Sequence, residues 1–108
     1  MRSDLINVYR NFIHLSEAIA LIDIREASAS HKIKIKEEAQ KNGSIFLNLR
    51  YSEAIETLKG TIYDLFIPKM AKDVTMILSK DEDALEEAID NINAVAQDEI
   101  IIEYRYIK

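Results

Sequence analysis

Arg10, His14 and Glu17 stand at i, i+4 and i+7, so on a helix they share one face within reach of each other. A base, an acid and a fixed cation at that interval are the parts of general acid–base chemistry of a ribonuclease-like kind. Solvated helix faces collect the same residues without any chemistry. The adopted reading therefore assigns no catalytic residue, and a small enzyme working from this cluster stays an alternative.

The other polar groupings offer less. The run Asp81-Glu82-Asp83 and the face Glu86-Glu87-Asp90 are acidic enough to attract a cation. An EF-hand loop, however, needs a central Gly and a Glu at its twelfth position, and the pattern departs from this after two matches. Helix capping and the helix dipole account for these acids. With no Cys and only 2 His, thiolate zinc sites, iron–sulfur clusters and cysteine nucleophiles drop out, and a transition-metal site is not expected. No glycine-rich phosphate loop and no nucleophile elbow are written in the chain, so no cofactor is expected.

The basic middle of the chain suggests a second alternative. His31 to Ser52 holds five basic and two acidic residues, whereas Asp81 to Lys108 holds two basic and nine acidic ones. Lys32, Lys34, Lys36 and Arg50, with Tyr51, Tyr104 and Arg105, would suit a sheet uncovered on one face, where tyrosines stack on bases and cations meet phosphates. A net charge of −5 opposes broad attraction to nucleic acid or anionic lipid.

These residues must be positioned by secondary structure. From Ser3 to about Glu26 the apolar positions Leu5, Val8, Tyr9, Phe12, Leu15, Ile19 and Ile22 recur at helical spacing. A second stripe of Ile6, Ile13, Ala20 and Ile24 lies beside them. Together they cover roughly 200°, about twice the minimum core-facing width. The spacing predicts one long amphipathic helix over residues 1–28, with two sides to bury. His31-Lys32-Ile33-Lys34-Ile35-Lys36 alternates strictly, as an edge strand guarded by lysines does.

A second strand is expected at Ile45–Tyr51. A helix follows from Glu53 to Phe66, with Gly60 inside it and Pro68 just past its end. A buried strand is read at Val74–Ser79. Ser79-Lys80-Asp81-Glu82 fits a capping box for a helix over Asp83–Ala96, and Ile100–Ile107 closes the chain as a strand. The expected fold is one α+β domain over residues 1–108. The N-terminal helix is followed, over 31–108, by a small mixed sheet with two helices, in two layers. An all-α bundle is the alternative.

At 108 residues, 48% apolar and 31% charged, the chain is long and apolar enough for a core without disulfides. No apolar stretch is long enough to span a bilayer, and Met1 to Ile6 lacks a secretory layout, so a cytoplasmic protein without membrane contact is expected.

A domain of this size has too few elements to wrap both stripes of the first helix. Each isoleucine left in water would forfeit roughly 1.5–3 kcal/mol. Ile6, Ile13, Ala20 and Ile24 are therefore expected to meet another chain, most simply a second copy in a homodimer. The function expected from this is a non-catalytic, oligomeric interaction or regulatory module, with a protein partner possible and nucleic acid less favoured.

Overall fold

A computed structural model describes residues 3–69, 72–96 and 101–108. The first helix is only half as long as the periodicity predicts. Helix α1 spans Ser3–Leu15, and the apolar run continues as strand β1, Ala18–Asp23. The break falls at Ser16, whose Oγ donates to the carbonyl of Phe12 at 2.7 Å and so ends the helix from the side chain. Beyond it Ala18 to Ile22 are all buried, so no alternation marks the strand in the sequence.

The lysine-rich stretch is a helix, not a strand. Helix α2 spans Ala29–Gln40; the Ser28 hydroxyl caps it by accepting from the His31 amide. Only Ile35 and Ala39 are buried along it, while Ile33 faces solvent. This narrow stripe is why period two shows in the sequence and period 3.6 does not. Strand β2 follows at Ile45–Leu49, and helix α3 at Tyr51–Leu58.

Gly60 terminates α3 instead of sitting within it. Its φ is +78°, a left-handed conformation that suits glycine after a helix end, and a Cβ there would meet nothing within 4 Å. Conformation, not close approach, is its role. A 3₁₀ turn over Asp64–Lys69 contains Pro68. Strand β3, Val74–Ser79, is buried throughout. Helix α4 spans Glu82–Ala96, capped by Asp81, whose Oδ1 accepts from the Ala84 amide at 2.7 Å. The Ser79 hydroxyl meets that of Ser44 instead. Strand β4 is Ile101–Ile107; Ile100, expected in it, lies outside the described residues.

The four strands are ordered β2-β3-β1-β4, and every adjacent pair is antiparallel, so the sheet is not mixed. From β1 onward the order β-α-β-β-α-β, with β3 between β1 and β2, is the split βαβ of a ferredoxin-like topology. The α+β class holds, but with three layers instead of two. Ala18, Ala20, Ile22 and Ile77 pack under Ile35 of α2 and Leu85, Ile89 and Ile92 of α4. Ile19, Leu21, Met76 and Leu78 face the other way, against Ile13 of α1, Leu58 of α3, and Tyr63 and Phe66.

That second layer disposes of the expected interface. Ile6, Ile13, Ala20 and Ile24 are 8%, 1%, 0% and 5% exposed within a single chain. Ala20 and Ile24 do not belong to α1 at all, and the insertion between β2 and β3 supplies the surface that α1 needs. Val8 and Leu15, which the periodicity turns inward, are exposed. No described helix is long and apolar enough to cross a membrane.

Candidate functional site

At the end of the sheet where β1 and β2 finish and β3 begins, a cleft of about 520 Å³ opens. Three local devices shape it. Asp23, the last residue of β1, takes the Arg25 guanidinium on both oxygens and the Arg25 amide on Oδ1 at 2.9 Å. The Arg25 hydrogen bonds hold the Asp23 carboxyl below the usual carboxylate range, against the opposing effect of burial. Asp73 accepts the amide of Tyr51 at 2.9 Å, tying the segment before β3 to the first turn of α3. Thr75 of β3 donates its hydroxyl to Asn48 of β2 at 3.3 Å across the floor. Lys32 and Lys72 add cations to a lining that also holds the Asp23 and Asp73 carboxylates, and Lys72 contributes to the lowered pKa of Asp23; Tyr51 stands beside them, 39% exposed.

A second depression, of about 380 Å³, continues from the first and shares Ile24, Lys32 and Asn48 with it. Its further walls come from Ile33 and Lys36 of α2, Phe46 and Leu47 of β2, and Tyr9 of α1. Among the described residues its charge comes from Lys32 and Lys36. Neither Lys32, Lys36 nor Lys72 has a carboxylate within salt-bridge distance among the described residues. Through the shared Ile24, Lys32 and Asn48 the two depressions form one channel beside α2 and the outer strand β2, whose inner part is polar and holds carboxylates as well as cations, and whose outer part has apolar and aromatic walls with Lys32 and Lys36.

Several residues singled out in the sequence are placed elsewhere. Arg10 and His14 border a separate cavity of about 470 Å³ with Tyr63, Thr61 and Lys108, but Glu17 follows the end of α1 and is not on its face. Lys34 is exposed on α2 and lines neither depression, and Arg50 is the residue preceding α3. Arg105 pairs with Glu86 of α4. Tyr104 belongs to β4, with its side chain outside what is described.

Among the described residues both faces of the sheet are packed against helices, so the expected uncovered, tyrosine-bearing face is not seen there. Tyr106 packs edge-on against Tyr63 at 5.1 Å beneath the second helical layer. Of the seven nucleic-acid candidates, Lys32, Lys36 and Tyr51 reach the channel. Sequence reasoning missed Asp23, Arg25, Asn48, Lys72 and Asp73. Their proximity depends on strand order, which no local pattern encodes. The Asp23-Ile24-Arg25 spacing was the one readable signal, since an Asp can bond the backbone two residues on.

No protein-family model matches the chain, and no curated protein matches it.

Proposed function

We propose that the chain is a non-catalytic binding module of the interaction or regulatory kind, and that its partner presents negative charge to the channel between α2 and β2. The observation that carries this is the pair Lys32 and Lys36, which line the second depression with no carboxylate beside them in its lining and no salt bridge among the described residues, whereas Lys72 acts on Asp23 in the first cleft. Unpaired charge beside low-dielectric walls focuses the local potential, while the acidic remainder of the surface turns away indiscriminate polyanion binding. The shape agrees with this. Binding sites are concave, with a few polar groups that fix orientation, and here the exposed Asn48, held by the Thr75 hydroxyl, is such a group. A cytoplasmic setting remains part of the proposal.

Amide chemical-shift titration with pyrophosphate and with a short acidic peptide tests it. Shifts should gather on Ile24, the first turns of α2, Asn48 and Lys72, and should vanish in Lys32→Glu. The reading fails if millimolar anion leaves these amides unmoved or moves amides all over the surface.

Self-association through α1 is a second reading, now resting on Val8 and Leu15, which are 46% and 67% exposed and lie seven residues apart on one helix face. Sedimentation equilibrium of the wild type and of Leu15→Asp decides it.

A further inference from the structure

Edge strands expose a row of main-chain donors and acceptors, and proteins commonly blunt them with a charge, a proline or a bulge. The two edges of this sheet differ in that respect. Strand β4 carries Arg105 and a register shift opposite Leu21/Ile22. Strand β2, with the sequence Ile45-Phe46-Leu47-Asn48-Leu49, has neither a charge nor a proline, and it pairs with β3 in unbroken register from Ile45↔Leu78 to Leu49↔Val74. Among the described residues no hydrogen bond reaches its outer side. Alternate amides and carbonyls of β2 therefore face outward without a protein partner.

The first depression crosses the end of the sheet, whereas the second borders this open edge. Its lining residues Phe46, Leu47 and Asn48 come from β2, and Lys32, Ile33 and Lys36 come from α2. An edge strand beside a helix is the geometry by which an extended peptide joins a sheet. Side chains of an added strand alternate between the two faces. Those on the α2 side would meet Lys32 and Lys36, and those on the other side would meet Leu47 and Tyr9.

We propose that an extended acidic peptide adds to β2 as an outer fifth strand, with its carboxylates toward Lys32 and Lys36 and its apolar side chains toward Leu47 and Tyr9. This rests on the anionic reading of the channel and specifies the partner. A second copy of the chain fits worse, because pairing β2 with β2 sets one lysine-lined groove against another. A nucleic-acid strand brings the charge but lacks the main-chain donors and acceptors that the edge requires.

The test uses the full chain and a short acetylated, amidated peptide of alternating glutamate and valine. Binding should slow hydrogen exchange of alternate amides in Ile45–Leu49. N-methylating every second peptide nitrogen should weaken binding roughly tenfold or more in one phase and little in the other. Lys36→Glu, at an exposed position on α2, should weaken the acidic peptide by a similar factor and favour a lysine–valine peptide, with an unchanged urea midpoint as the check on folding.

Binding that ignores N-methylation in both phases and leaves β2 exchange unchanged overturns the strand addition while the anionic channel survives. Equal binding of a neutral serine–valine peptide, with the same protection of β2, overturns the acidic requirement and the anionic reading with it. Binding of oligothymidine in place of the peptide, or β2 protection that rises with protein concentration alone, overturns the proposal in favour of nucleic acid or a second copy.

Discussion

Arg10 closes the end of a helix to which it does not belong. From α1 its guanidinium donates to the carbonyl of Glu56 through Nε at 3.1 Å and Nη2 at 2.8 Å, and to that of Lys59 at 2.9 Å. Cations at helix C-termini satisfy orphan carbonyls and oppose the negative end of the dipole. Arg10→Ala should lower unfolding free energy by about 1–2 kcal/mol in urea denaturation, with Arg10→Lys recovering only part. An unchanged midpoint would show that α1 and α3 hold together without this cap.

Among the described residues the buried hydroxyl of Tyr63 finds no hydrogen-bond partner. Burial foremost, then the neighbouring Tyr106 and Glu17, push its pKa up to about 12. The folded state therefore holds the phenolic proton more tightly than the unfolded one. Stability is full below pH ~10 and falls between there and about 12, by roughly 2–3 kcal/mol. Tyr63→Phe should flatten that alkaline slope. At neutral pH it should be no less stable than wild type, since it removes an unsatisfied polar atom from the core.

Asp23 has the opposite sign. Its carboxyl is held low by Arg25, so its contribution is present above the ordinary carboxylate pKa and disappears as pH falls through the lowered folded value. Urea midpoints followed into acid should decline more gently in Asp23→Asn than in wild type. Parallel curves would mean that the pair is as loose as an ordinary surface ion pair.

Ile13, which the sequence turned toward a partner chain, is sealed against β1, α3 and the inserted turn. Ile13→Ala should cost about 2–5 kcal/mol by cavity formation, whatever the protein concentration. Leu15→Ala, two residues on but exposed, should stay within about 0.5 kcal/mol if the chain is monomeric. A concentration-dependent loss in Leu15→Ala would favour self-association through α1.

Legibility followed how much of each element is buried. Helix α4 presents a broad apolar face against a charged one, and β3 is a short buried run between polar flanks; both match the periodicity within a residue or two. The failures are physical opposites. Between α1 and β1 hydrophobicity continues without Gly or Pro, so one helical phase survives past Ser16, where the chain has already changed conformation. In α2 burial is so narrow that lysines and isoleucines alternate by accident of composition, and Ile33 points outward. The three-layer arrangement was out of reach because α1 finds its cover in a segment some fifty residues away. The channel inherits that difficulty: Lys32, Asn48 and Lys72 become neighbours only once the strand order is known.

Lys32 and Lys34 separate a specific channel from a basic surface. They are two residues apart on α2, yet Lys32 lines both depressions and Lys34 lines neither. If net basicity of this segment attracted the partner, Lys32→Glu and Lys34→Glu would be equivalent, and both effects would fade once salt shortened the Debye length to a few ångström. If the channel is the site, Lys32→Glu should cut affinity for the acidic peptide roughly tenfold or more and Lys34→Glu less than about twofold. That gap should persist at high salt, because a partly enclosed charge is screened less than an exposed one. Titrations of the two variants at low and high ionic strength measure the difference directly, and equal losses that vanish together with salt would leave only a diffuse basic face.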